Sequence, residues 1–152
     1  MSFTFSELSA PSFYLEELSG STTIQPNQPS WPFDLQGKGK WKEEINFAIQ
    51  GDWHSGSKDF SLEIEQLTGK MGPYPLLLKN PLHFNRLKDT WNITDVWAQL
   101  GEGEFKGNFH VDSHQIQGEF STNELSSELF RFVAPELPLS GKASFQGKLE
   151  GA

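Results

Sequence analysis

The segment His110-Val111-Asp112-Ser113-His114 is where side chains able to do chemistry stand closest together. On an extended strand residues 110, 112 and 114 face one side, and two imidazoles flanking a carboxylate are in principle a metal-ligand set. That side lies opposite Phe109 and Val111, so it is the solvated one, and the sequence holds no second ligand cluster. No metal is expected. Gly101-Glu102-Gly103-Glu104-Phe105-Lys106-Gly107 is glycine-rich, but its spacing leads into no helix whose N-terminus could take a phosphate, and its acidic side chains would repel one. The carboxylate pairs Glu16-Glu17 and Glu43-Glu44 sit in charged stretches and read as solvated faces, not as acid and base across a cleft. There is no G-x-S-x-G elbow, and the absence of cysteine excludes thiolate chemistry and disulfides. The expectation is a protein that is not an enzyme and needs no cofactor.

Composition narrows the class further. A net charge of −8 provides no basic surface to displace phosphate counterions, so a nucleic-acid partner is not expected. No run approaches 18 apolar residues, and Met1 to Glu7 lacks the basic and apolar regions of a signal peptide. With 14 Gly and 9 Pro, an all-helical bundle is disfavoured. What stands out is 13 Phe and 5 Trp in an otherwise polar chain of 152 residues.

The elements that position these aromatics are strands. Apolar residues alternate in Ile45/Phe47/Ile49/Gly51/Trp53, Phe60/Leu62/Ile64, Leu76/Leu78, Leu82/Phe84 and Trp91/Ile93. The same holds for Phe105/Gly107/Phe109/Val111, Ile116/Gly118/Phe120 and Phe145/Gly147/Leu149. Such alternation makes one face apolar and one wet, as in an antiparallel meander, and gives nine or ten strands. Residues 1–30 read as an N-terminal hairpin with a Pro-rich connection, and 31–152 as the main sheet. Within the latter, Leu125, Leu129, Phe130 and Val133 recur at helical spacing between Asn123 as cap and Pro135 as stop, which predicts one short helix near 124–134. A weak repeat, apolar-Gln-Gly-charged, recurs at Gln36-Gly37, Gln50-Gly51, Gln117-Gly118 and Gln146-Gly147. Parity puts those glycines on the apolar face, where they either relieve crowding and let the sheet coil or leave a channel for a ligand. Phe3 and Phe5 already alternate at the start, and the far end stops in mid-pattern, as in a segment of a longer chain.

The stretch Phe60-Ser-Leu-Glu-Ile-Glu-Gln-Leu-Thr-Gly-Lys-Met71, followed by Tyr74-Pro-Leu-Leu-Leu-Lys-Asn-Pro-Leu-His-Phe84, resembles the TamB family of bacterial envelope proteins. So do Val96-Trp-Ala-Gln-Leu-Gly-Glu-Gly-Glu-Phe-Lys-Gly-Asn-Phe109 and the closing Leu137-Pro-Leu-Ser-Gly-Lys-Ala-Ser-Phe-Gln-Gly-Lys-Leu-Glu-Gly151. The resemblance covers residues 31–151 and rests on the order of strand patterns. It implies an internal fragment of a long periplasmic protein anchored in the inner membrane, with a curved, taco-like antiparallel sheet and a greasy interior. It further implies phospholipid transport between the inner and outer membranes, and a part in outer-membrane protein assembly with the TamA barrel through the full-length protein.

The residues themselves are compatible with that picture. A nine-residue strand spans about 30 Å, and a coiled sheet of that width with one apolar face is a trough able to shield acyl chains. Each buried CH₂ contributes roughly 0.8 kcal/mol, so ten methylenes supply several kcal/mol. The residues expected to line the trough are Phe47, Ile49, Phe60, Leu62, Ile64, Leu76, Leu78, Phe84, Phe105, Phe109 and Phe120. The partners expected are phospholipid acyl chains and neighbouring segments of the same chain, paired through open sheet edges. Alternatives are a closed lipocalin-like barrel for a small apolar ligand, a carbohydrate-binding sandwich with Trp31, Trp53 or Trp91 as its platform, and a structural scaffold.

Overall fold

Alternating runs supply extended backbone with one face to bury, and strands form wherever the alternation holds. The computed structural model describes residues 1–10, 13–24, 28–41, 43–56, 59–127 and 140–151. The strands are β1 (Ser2–Ala10), β2 (Phe13–Thr22), β3 (Ser30–Trp41), β4 (Glu43–Ser55), β5 (Asp59–Met71) and β6 (Tyr74–Leu78). They continue as β7 (Leu82–Leu87), β8 (Thr90–Leu100), β9 (Gly103–Val111), β10 (Ile116–Ser126) and β11 (Lys142–Gly151). All belong to one antiparallel sheet in chain order, in which β6 and β7 lie end to end between β5 and β8. The eleven strands are one more than the upper count read from alternation. The N-terminal hairpin joins the same sheet, with β2 pairing along β3 from Tyr14↔Lys40 to Thr22↔Phe33. Turns are tight: Gly72 and Gly101 take φ of 59° and 65° between β5 and β6 and between β8 and β9, a left-handed backbone that costs glycine little.

The sheet does not close. Among the described residues β1 and β11 are its two edges, so the chain forms neither a barrel nor a two-sheet sandwich. No second layer covers it among the described residues. Leu15 and Leu125, 6% and 8% exposed, are the buried apolar residues, and no described side chain is fully buried. The accessible surface of 10116 Å² exceeds the roughly 7,700 Å² expected of a compact monomer this size.

The expected helix near 124–134 is corrected in its first part. Glu124–Ser126 belong to β10, where Leu125 pairs with Ala143 and Ser126 with Lys142. Asn123, expected as a helix cap, pairs with Glu104 of β9. Helical spacing loses here to long-range pairing: a bulge between Thr122 and Leu125, with Glu124 at φ 51°, restores the strand and tucks Leu125 under the sheet's apolar face. Residues 128–134 of the expected helix lie outside the described residues.

Three irregularities lie side by side across the middle of the sheet. Glu65 is an extra residue in β5, because Gln50 pairs with Gln66 but Gly51 with Ile64. Next to it, Lys79, Asn80 and Pro81 interrupt the β6–β7 line. Beyond them β8 bulges between Ile93 and Val96, with Asp95 at φ 62°. Side chains and amides stitch this crease together: Asn80 Nδ2 donates to the Asp95 carbonyl at 2.8 Å, and the Asp95 amide donates to Asn108 Oδ1 at 2.8 Å.

Candidate functional site

Directly opposed residues of an antiparallel sheet share a face, so the register assigns every side chain. One row runs Trp31–Trp53–Leu62–Phe84–Ile93–Phe109–Gly118–Leu149, from β3 to β11. A second runs Phe5–Leu18–Gly37–Phe47–Gly69–Leu76–Leu100–Gly103. Ile49 opposes Leu35 and Leu67; Ile64 opposes Gly51 and Leu82. Leu78 leads through Ala98 to Phe105 and Thr122, while Phe120 opposes Gly107 and Gly147. Phe60 begins the outermost row, facing Ser55 and Arg86. All eleven residues expected to line the trough therefore stand on one face, and each is half-buried.

The same face holds apolar residues that alternation alone did not single out, notably Leu67 and the series Val96, Ala98 and Leu100. The bulges explain the omission. Apolar parity switches from even to odd after Glu65 and from odd to even after Asp95, so a fixed period drops out of phase while the face is kept. The phase switch is itself the legible signal.

The glycines of this face seat aromatic rings. A Cβ on Gly37 would run into the Phe47 ring; on Gly118 it would stand 2.6 Å from Phe109, and on Gly147 2.7 Å from Phe120. Gly107 is likewise overlain by Phe109, at 2.9 Å. Of the four repeat glycines, the unfilled-channel reading is overturned at Gly37, Gly118 and Gly147 because rings occupy the space, and at Gly51 because the β5 backbone does.

Rings also touch one another across strands. Trp31, Trp53, Phe60, Phe84 and Trp91 form a continuous ladder from β3 to β8, with centroids 4.7, 6.1, 6.2 and 5.2 Å apart. Its rings are tilted by 46–74° against each other, unlike a flat stacking platform for sugar. A second group, Phe109, Phe105, Phe120 and Phe145, spans β9 to β11. Contacts of this kind add to what burial contributes.

The opposite face is polar and solvated. Lys38–Glu16 (2.9 Å), Lys148–Glu119 (2.8 Å) and Lys142–Glu102 (2.7 Å) are exposed ion pairs that contribute little to stability. Trp97 falls on this side, its indole N–H donating to Glu104 Oε2 at 3.2 Å under the Lys106 ammonium, 4.2 Å from the ring centroid. His110 and Asp112 also lie here, but Asp112 serves the β9–β10 turn: its Oδ1 accepts the amides of His114 (2.7 Å) and Gln115 (2.9 Å). Among the described residues no three His, Asp or Glu side chains converge as a metal site.

Those two amides, His114 first, hold the Asp112 carboxyl below its ordinary value of 3.8. A depressed carboxylate stabilises the fold above its unfolded pKa and loses that contribution as pH falls through the folded one. The thermal midpoints of the parent and Asp112→Asn are therefore expected to differ by a constant amount from pH 7 to 5 and to converge below pH 3.8, as followed by circular dichroism. Convergence at neutral pH would show that the turn does not depend on the charge.

What the arrangement offers is an apolar face, lined by half-buried side chains, over which no second layer lies among the described residues. In comparisons with known proteins the chain matches no family model, no curated protein and no solved structure.

Proposed function

We propose that this apolar face is a non-enzymatic surface that shields phospholipid acyl chains, acting as a segment of a TamB-like envelope protein in the periplasm. The observation that carries the reading is the apolar face that successive rows carry from one edge of the eleven-stranded sheet to the other, with no second layer over it among the described residues. A folding core has a covering element, whereas this face has none among the described residues. The open topology speaks against a barrel carrier, and the tilted Trp rings speak against a sugar platform. On the same reading the full-length protein is anchored in the inner membrane and carries lipid toward the outer one, with TamA as a partner in outer-membrane protein assembly.

The test is organic extraction and mass spectrometry of protein purified from bacteria without detergent. Phospholipid is expected on the parent. Leu62→Asp, which places a charge between Trp53 and Phe84 on the apolar face, is expected to carry several-fold less while keeping its far-ultraviolet circular dichroism. A lipid-free, well-folded monomeric parent would overturn the reading and leave these side chains as structure alone.

A further inference from the structure

We propose that Arg86, at the mouth of the apolar face, binds the phosphate of a phospholipid head group; this rests on the acyl-chain reading above. Among the described strands Arg86 is the one basic side chain that the register places on the apolar side, opposite Phe60 on β5 and Trp91 on β8. The guanidinium is exposed at the rim, where it can meet a ligand entering beside the rings. It caps the end of the aromatic ladder, with Cζ 4.8 Å from the Trp91 centroid. Its Nε donates to the Lys88 carbonyl at 3.1 Å, which fixes the plane of the group. Its terminal amino groups have no hydrogen bond or ion pair among the described residues, which leaves the two-pronged edge that matches phosphate free.

The space beside it fits. A cavity of about 750 Å³ opens at this rim, lined by Phe60, Trp91, Arg86, Lys88, Asp59 and Asp89. Two basic and two acidic side chains thus surround one opening, and no ion pair joins them among the described residues. Phosphate fits the basic pair, and the ammonium of a zwitterionic lipid fits the carboxylates. From Phe60 the apolar face runs along β5 to Gly69, about 30 Å. One leaflet's acyl chain needs only about 15 Å, half the hydrocarbon thickness of a bilayer. A head group held at Arg86 therefore leaves the whole chain on apolar contacts.

The experiment is a titration followed by tryptophan fluorescence, at concentrations below micelle formation, with dodecyl phosphate, dodecyl maltoside and inorganic phosphate as probes. The parent is expected to bind dodecyl phosphate about tenfold more tightly than dodecyl maltoside, the increment of one charge-assisted contact. Arg86→Gln is expected to lose that tenfold while still binding dodecyl maltoside like the parent, which also shows that it is folded. Arg86→Lys should retain part of the preference. Equal binding of dodecyl phosphate by the parent and Arg86→Gln would overturn the assignment of Arg86 and leave the acyl-chain reading intact. Binding of inorganic phosphate alone, lost in Arg86→Gln, would make this a plain anion site and overturn the head-group assignment. Failure of the parent to bind either amphiphile would overturn the acyl-chain reading itself.

Discussion

Gly51→Ala is expected to lower the unfolding free energy by about 2–3 kcal/mol, at the upper end of what overpacking costs. The added Cβ would run into the carbonyl oxygen of Glu63 and stand 3.1 Å from the Ile64 Cα. These are backbone atoms of β5 beside the Glu65 bulge, so the strand itself must move. Gly118→Ala meets instead the edge of the Phe109 ring, which can turn, and is expected to cost about 1 kcal/mol. Gly151→Ala has nothing within 4 Å and should stay within about 0.5 kcal/mol of the parent. Urea denaturation with an unchanged slope reads all three. If Gly51→Ala proves as mild as Gly151→Ala, β4 and β5 do not approach as closely as described.

The second large effect is expected from Phe109→Ala, at about 2–4 kcal/mol. A buried Phe truncated to Ala costs about 3–5 kcal/mol, and a half-buried one would ordinarily cost less. Phe109 regains part of the difference because it covers two glycines at once, Gly107 and Gly118, and stacks on Phe105 with centroids 6.4 Å apart. A double-mutant cycle separates these contributions. Gly118→Ala should cost about 1 kcal/mol less in the Phe109→Ala background than in the parent, because the ring that it displaces is already gone. Strict additivity would mean that ring and glycine do not share a seat.

Both expectations rest on features of different legibility. The two-faced sheet could be read from Ile45 to Trp53 and from Phe105 to Val111, because the period of a strand is a local property of its residues. The continuity of the face across β5 and β8 is carried only by the switch in apolar parity, since nothing about Glu65 or Asp95 in isolation marks a bulge. The segment after Asn123 misled for a related reason: its three-to-four spacing is local, whereas the partner that claims Leu125 is Ala143, in a strand elsewhere in the sequence. Whether the sheet closes depends on the register and tilt of all its strands together, so barrel and open sheet give the same alternation. Arg86 follows Leu82 and Phe84 at the same parity, and its pairing with Phe60 and Trp91 puts it on the apolar side. Its neighbours Trp91 and the rim cavity are set by pairing between strands, which parity does not show.

The crease through Glu65, Lys79–Pro81 and Asp95 has a mechanical consequence. Bulges bend strands and raise local twist, and three of these interruptions abreast gather that compliance onto one line instead of spreading it over the sheet. The regular pairing on either side then behaves as two stiff panels, and the line between them as a fold in a sheet of card. A sheet built this way bends by changing a single angle, while the rows on each panel keep their registry.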